Sequence, residues 1–360
     1  MSNYKLPALL LIALLAISSC KNEDLTVPKD NTAVSRSMGD FIRNNYDLSL
    51  FAAALTKTGL IDSLNRPGPY TCFAPDNNAF NAIGITSAKD FDTMNTDSLR
   101  FAMKYQLIAD RKYISDFPFQ LGNKYATLAG PNLNVSVSVP SGTYGSAAEN
   151  RTVYVNGAFV YNGSKRNIPL TNGVIHIVRK PFNYATGTIQ DFLQADTSLS
   201  MFVAAMKRFN FWDGLKTKGP FTVFAPCNDA FRKYNFSADS INRMDPAAFK
   251  TITFGIYPLM LGNRFIYSTD WGQINDIYGG VETYLHLPGF AIRPYYTYND
   301  YNDQENSSIT LADSTGGTGT YSPSQIGYRN GIARGADHTT DNGIVHVTDD
   351  LLLYPHTLRQ

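Results

Sequence analysis

Leu48, Phe51, Ala52 and Leu55 stand at i, i+3, i+4 and i+7, a spacing that gathers apolar side chains on one stripe of a helix. Gly59 follows where a helix takes its left-handed stop, so the pattern predicts an amphipathic helix with one face turned inward. The period then shortens. Tyr70 to Ala74 alternates and is rich in β-formers, Pro75 removes a ladder donor, and Asp76-Asn77-Asn78 offers caps to a short helix around Ala79 and Phe80. Thr96-Asp97-Ser98 is expected to cap a further helix through Leu99, Ala102 and Met103. Beyond it Leu133, Val135, Val137 and Val139 alternate, and Arg151 to Val155, Ala158 to Tyr161 and Val174 to Val178 continue the strand pattern. Asn-Gly pairs at 156–157, 162–163 and 172–173 are expected to turn these strands into hairpins.

The whole pattern is written twice. Gly68-Pro69-Tyr70-Thr71-Cys72-Phe73-Ala74-Pro75-Asp76-Asn77-Asn78-Ala79-Phe80 recurs as Gly219-Pro220-Phe221-Thr222-Val223-Phe224-Ala225-Pro226-Cys227-Asn228-Asp229-Ala230-Phe231, at an offset of 151. The same offset carries Leu48, Phe51, Ala54, Asp62 and Leu64 onto Leu199, Phe202, Ala205, Asp213 and Leu215. A second signature closes each unit: Asn172-Gly173-Val174-Ile175-His176-Ile177-Val178 matches Asn342-Gly343-Ile344-Val345-His346-Val347-Thr348 at an offset of 170. Asp245-Pro246 answers the cap at Thr96 by placing Pro at a first helical position. Two domains are expected, 38–183 and 184–360, joined near residues 183–187.

Lys5 precedes an apolar run from Leu6 to Ile17, about a dozen residues where a membrane-spanning helix needs roughly 20. Ile17-Ser18-Ser19-Cys20 resembles the bacterial lipobox, so residues 1–19 are expected to be a lipoprotein signal peptide and Cys20 the lipidated first residue of the mature chain. Lys21-Asn22-Glu23-Asp24 resembles the tags that send Bacteroidetes lipoproteins to the outer face of the outer membrane, and the stretch 20–37 reads as a flexible tether. The membrane is therefore an expected partner through the lipid, with the body of the protein at the cell surface. Cys72 and Cys227 are not equivalent in the two repeats, so no disulfide is expected between them, and Cys72 reads as a small buried hydrophobe.

The paired signatures resemble those of the fasciclin-like domain family, Gly-x-Phe-Thr-Val-Phe-Ala-Pro-Thr-Asp-x-Ala-Phe and Asn-Gly-Val-Ile-His-Val-Ile-Asp. They are carried here by Thr71, Phe73, Pro75, Phe80, Asn172 and His176, and again by Thr222, Phe224, Pro226, Phe231, Asn342 and His346. The resemblance implies an α+β fold of two tandem fasciclin-like domains, each a wedge-shaped β-sandwich with packed helices, used for adhesion and matrix contact without catalysis. Two departures stand out. Adhesive members often carry a Tyr-His pair after the middle helix, where this chain has Tyr105-Gln106 and Tyr257-Pro258. Asp76 and Cys227 stand where the first motif has Thr, and Cys227 makes a poor cap.

Charge and candidate chemistry narrow the function classes. Thirty-one Lys and Arg against 30 Asp and Glu leave a formal charge of +1, which removes the basic field that holds nucleic acid. His176 and His346 lie inside the repeated strand signature and read as structural, their ring nitrogens satisfied within the domain. His338, flanked by Asp337 and Asp341, sits among loop residues without zinc spacing. Asp300, Asn302 and Gln304 alternate as in a calcium loop, but Glu305 and Leu311 occupy its sixth and twelfth positions. Gly316-Gly317-Thr318-Gly319 lacks the Lys of a phosphate loop. No enzyme activity, metal or cofactor is expected, since neither a nucleophile elbow nor a zinc-protease helix is written in the chain.

From Tyr257 to Asn342 is 85 positions against 67 from Tyr105 to Asn172, so the second domain carries an insertion. Tyr295, Tyr296, Tyr298 and Tyr301 interleave there with Asn, Asp and Arg, the mixture that stacks on sugars or serves as a protein contact patch; tyrosines packing from edge strands onto the core are the plainer alternative. The expected function is a non-catalytic, lipid-anchored cell-surface adhesion protein whose partner is an extracellular or envelope protein. The alternative is a glycan-binding accessory lipoprotein of an outer-membrane polysaccharide-uptake system.

Overall fold

A computed structural model describes residues 36–139, 151–248 and 265–351, apart from 279–284, 288–289, 300–303, 314–323, 327, 330–331 and 334. Cys20 and the segment up to residue 35, Tyr257-Pro258, Asp300, Tyr301, Asn302 and Gly316 to Gly319 lie outside the described residues. Both repeats fall within one compact unit, Arg36–Gln360.

The first repeat opens with helices α1 (Met38–Arg43) and α2 (Ser49–Lys57), followed by strand β1 (Tyr70–Pro75), helices α3 (Asn77–Asn81) and α4 (Thr96–Tyr105), and short strand β2 (Leu107–Ile108). Phe51 and Leu55 form the buried stripe of α2, and Gly59, at φ 71°, ends it. The Asp76 carboxylate caps α3 by accepting from the Ala79 N–H at 2.9 Å. The cap of α4 is Asn95 rather than Thr96-Asp97-Ser98. Asn95 keeps the extended backbone of a cap, and its side chain accepts from the N–H groups of Asp97 and Ser98 at 3.0 Å, so the three expected residues already lie inside the first turn.

Strands β3 (Asn123–Ala126), β4 (Asn132–Ser138), β5 (Thr152–Val155) and β6 (Ala158–Phe159) make an antiparallel meander, and β7 (Ile168–Leu170) and β8 (Gly173–Val178) return beside β1. The second sheet has the order β2-β1-β8-β7, with β1 and β8 parallel. That parallel pair is covered on both sides. Cys72, Ala74, Ile175 and Ile177 pack with the helices, whereas Phe73 and Val178 pack with Leu133, Val135, Val137, Val153 and Val155 of the meander. Burial on both faces is the reason the two motif strands read as nearly continuous apolar runs.

Of the three Asn-Gly pairs, Asn156-Gly157 is a two-residue hairpin turn, at φ 47° and 74°. The other two do something else. Asn162 precedes a 3-10 turn at Gly163–Lys165. The β7–β8 hairpin turns at Thr171-Asn172, with Leu170 opposite Gly173, and Gly173 is the first residue of β8. A Cβ on Gly173 would lie 2.2 Å from the Tyr70 carbonyl oxygen, so glycine is required there by close approach rather than by a turn.

The second repeat begins with α5 (Ile189–Ala195), α6 (Ser200–Arg208), β9 (Phe221–Pro226), α7 (Asn228–Arg232), α8 (Ala238–Asn242) and α9 (Asp270–Tyr278). It continues through β10 (Leu285–Leu287), β11 (Phe290–Asn299), β12 (Gln304–Asp313), β13 (Ser324–Ile326), β14 (Tyr328–Arg329), β15 (Ile332–Ala333), β16 (His338–Thr339) and β17 (Gly343–Thr348). β9 and β17 pair in parallel from Phe221↔Gly343 to Pro226↔Thr348, as β1 and β8 do from Tyr70↔Gly173 to Pro75↔Val178. Tyr295, Tyr296 and Tyr298 lie on β11, opposite Ser308, Ser307 and Glu305 of β12. Helices come first and antiparallel strands later in each repeat, so the class is α+β. Among the described residues no helix is long and apolar enough to cross a membrane.

Candidate functional site

Each closing signature begins with an asparagine that ties three chain segments together. Asn172 accepts from the Met38 N–H at 2.9 Å and donates to the carbonyls of Leu64 and Arg66 at 2.6 and 2.8 Å. Asn342 accepts from the Ile189 N–H at 2.8 Å and donates to the carbonyls of Leu215 and Thr217 at 2.8 and 3.0 Å. The first motif supplies the neighbouring anchor: Thr71 Oγ1 donates to the Asp110 carbonyl and accepts from the Lys112 N–H, and Thr222 Oγ1 accepts from the Ile266 N–H. Pro75 and Pro226 end the parallel strands, and Phe80 and Phe231 are buried in the helical cores.

His176 and His346 occupy matching positions on β8 and β17, fully buried and stacked on Phe73 and Phe224 with ring centroids 5.4 and 5.2 Å apart. The Asn167 N–H donates to His176 Nδ1 at 3.2 Å, so Nε2 carries the proton and donates to the Lys112 carbonyl at 2.9 Å. A single neutral tautomer results, and burial lowers the pKa to about 4. His346 repeats the arrangement with the Asp337 N–H and the Ile266 carbonyl. Burial lowers its pKa as well, opposed by the Asp337 carboxylate.

One atom group differs between the two sites. Asn167 and Asp337 both hold left-handed backbone, at φ 57° and 65°, but the first carries an amide and the second a carboxylate. Asn167 Oδ1 accepts from the Ile114 N–H at 2.8 Å. Asp337 accepts from the Ser268 N–H and hydroxyl at 2.7 and 2.8 Å and from the Lys180 ammonium at 2.8 Å. Burial pushes the Asp337 pKa up, but the Lys180 ammonium and the Ser268 N–H outweigh it and hold the group ionised, below its ordinary value.

Lys180 belongs to the end of the first repeat, so this ion pair is also a joint between repeats. Around it the joint is polar and closed. Tyr267 is fully buried, its hydroxyl accepting from Asn134 Nδ2 at 3.1 Å and lying 3.2 Å from Thr339 Oγ1. Gln273 Nε2 donates to Ser138 Oγ and to the carbonyls of Ser136 and Thr152 at 3.1 to 3.4 Å. Burial raises the pKa of neighbouring Asp270 to about 7, although its carboxylate accepts from the Tyr267 N–H. Tyr105 and Gln106, at the family's Tyr-His position, are both fully buried; the Tyr105 hydroxyl donates to the Asn132 carbonyl and accepts from Asn156 Nδ2. They are core residues rather than a surface offered to a partner.

The family model for the fasciclin domain matches residues 46–183 and 197–253, more than half of the chain. The chain belongs to the fasciclin domain family. Human periostin is 26% identical over 252 residues, which cover 69% of this chain and 27% of that protein. Transforming growth factor-beta-induced protein ig-h3 from Sus scrofa is 27% identical over 195 residues, covering 52% and 26% respectively. The chain thus spans about a quarter of the length of each of these relatives. Among solved structures, a domain pair from the insect cell adhesion molecule fasciclin I matches at 20% identity over 86% of this chain and 98% of that one, with a TM-score of 0.36.

Within the two fasciclin repeats the motif residues gather around the parallel strand pair, whereas Tyr295, Tyr296 and Tyr298 lie far along the chain on β11. Asp337 and His338, neighbours in sequence, serve different contacts: Asp337 takes the Lys180 ion pair, and the His338 ring packs 4.8 Å from that of Phe192. Among the described residues no three His, Cys, Asp or Glu side chains gather as a metal site. Lys180, Tyr267, Asp270 and Gln273 escaped sequence reading because none sits in a signature. Alignment at the offset of 170 could have flagged the joint, since it sets Asp337 against Asn167 and so asks for a cation.

Proposed function

We propose that this fasciclin protein is a non-catalytic, lipid-anchored adhesion module on the outer face of an outer membrane, held through Cys20 and contacting an extracellular or envelope protein. The observation that supports the non-catalytic reading is the sealing of the two motif histidines. His176 and His346 are fully buried, each with one ring nitrogen facing a backbone N–H and the other a carbonyl. The ten-residue β11–β12 pair, bearing Tyr295, Tyr296 and Tyr298, is the contact surface in this reading.

The anchor is tested by expressing the full chain with labelled palmitate and shaving intact cells with protease. Label that disappears in Cys20→Ala, with the wild-type chain cleaved from outside, is the expected result; label that persists in the variant overturns the anchor. The adhesive role is tested by binding the chain from Lys21 onward to matrix and envelope protein arrays. Loss of the signal in a folded Tyr295→Ala, Tyr296→Ala, Tyr298→Ala variant is expected, and an unchanged signal removes β11 from the contact.

A further inference from the structure

Helix α9 is held by both repeats. Trp271 packs it into the helical core of the second, while Asp270 and Gln273 turn to strand β4 of the first, where Asn134, Ser136 and Ser138 are buried. Two side-chain amides reach across this contact, Gln273 Nε2 to Ser138 Oγ and Asn134 Nδ2 to the Tyr267 hydroxyl, both at 3.1 Å. Their oxygens fare differently. Gln273 Oε1 and Asn134 Oδ1 are buried without a hydrogen-bond partner among the described residues, and so is Asp270 Oδ1. Three acceptors in one joint are left waiting for a donor.

Charge sharpens the imbalance. The joint buries two carboxyls, Asp270 fully and Asp337 nearly so, and the Lys180 ammonium is taken by Asp337 at 2.8 Å. Asp270 forms no ion pair among the described residues. The groups that face it are Tyr267, whose N–H it accepts, Ser136 of β4 and the Asp337 carboxylate; burial and Asp337 oppose a charge on it, and the other two favour one. An unpaired carboxylate between packed surfaces is costly, whereas a protonated one is neutral and turns an orphan acceptor into a donor.

We propose that the joint between the repeats is a proton-operated latch: the repeats dock with a proton on Asp270, and loss of that proton loosens their contact while each repeat stays folded. In water the Asp270 carboxyl has the ordinary value of 3.8, against about 7 in the closed joint, so closing takes up a proton between those limits. The latch is tightest below pH 3.8, slackens as pH rises to 7 and changes no further above it. Asp337 stays out of this window, because Lys180 holds it ionised. His346 makes its ring hydrogen bonds within the second repeat, so opening the joint leaves them in place. The inference is independent of the lipid anchor and of any adhesive partner.

The chain from Lys21 onward, which keeps both repeats, is followed by NMR through hydrogen exchange of the Gln273 and Asn134 side-chain amides, which bridge the joint. Backbone amides of β1 and β8 serve as the internal reference. Corrected for the chemistry of exchange itself, opening should become up to about tenfold more frequent per pH unit between roughly pH 4 and 7 and level off above, with the reference amides unchanged. Asp270→Asn should remove the dependence and keep the joint closed throughout. The wild-type chain labelled at its Asp carboxyl carbons should also show one carboxyl titrating near 7, a readout that stands whether or not the variant folds. The proposal is overturned by exchange at the joint that ignores pH in this range, by the same dependence persisting in Asp270→Asn, by reference amides that open together with the joint, or by no Asp carboxyl titrating above the ordinary range.

Discussion

Asn167 in the first repeat and Asp337 in the second do the same geometric work with different chemistry. Each donates its N–H to a buried imidazole and accepts an N–H from a neighbouring strand connection. The amide achieves this as a neutral group. The carboxylate brings a charge into a site where it is only 4% exposed, and an isolated buried charge is costly enough that a partner must come with it. That partner, Lys180, is supplied by the first repeat, and Gly157 leaves room beneath, since a Cβ there would lie 2.5 Å from Asp337 Oδ2. The first repeat is therefore electrostatically complete in itself, whereas the second needs its neighbour. One amide-to-carboxylate difference turns two similar folds into a dependent pair.

The largest effect should come from removing the cation. Lys180→Met leaves Asp337 buried and unpaired and should cost the second repeat about 3–5 kcal/mol in urea unfolding. Adding Asp337→Asn, which restores the chemistry of the first repeat, should recover most of that loss. A silent Lys180→Met would break the comparison, because the second repeat would then not depend on its neighbour's charge.

Acid should separate the two designs further. His176 titrates near 4 when folded and near 6.5 when unfolded, so the unfolded chain binds more protons between those values. Its contribution is full above pH 6.5 and falls by up to roughly 3 kcal/mol as pH drops to 4. Asp270 has the opposite sign. Its folded pKa of about 7 lies above the ordinary 3.8, so the joint is strongest below pH 3.8 and weakens as pH rises toward 7. Urea midpoints from pH 4 to 7.5 should show the first slope reduced in a folded His176→Gln chain, with buried His346 supplying the remainder, and the second lost in Asp270→Asn.

Where the repeats are alike, mutations should act alike. Asn172→Ala and Asn342→Ala each strand one backbone N–H and two carbonyls, and each should cost about 2–3 kcal/mol in its own repeat, read from denaturant unfolding. The smallest expected change is at the cap of the short helix after the first motif. Cys227 gives no side-chain cap where Asp76 does, so Cys227→Asp should stabilise the second repeat by about 1 kcal/mol, visible as a raised melting temperature.

Legibility in the sequence follows the range of the interaction. The α2 stripe, the strand–corner–helix motif and the closing strand could be read because local period and turn chemistry dictate them, and because the chain states each of them twice. Asn172-Gly173 was misread as a turn because the pair has the composition of one, although its glycine serves close approach to Tyr70 on a strand about a hundred residues away. Alternation along β4 identified Leu133, Val135 and Val137 as one inward face. It gave no sign that Asn134, Ser136 and Ser138 on the other face are buried too, under Tyr267 and Gln273.

Periodicity, Gly and Pro placement and the doubled signatures were enough to establish two fasciclin repeats of α+β class, because each acts within a turn or a strand and needs no distant partner. The joint was decided only in three dimensions. Whether a polar strand face meets water or another repeat, and whether a carboxylate is exposed or buried against a lysine 157 residues away, depends on which surfaces docking removes from solvent. Desolvation and pairing are properties of that contact, and no local pattern of residues records them.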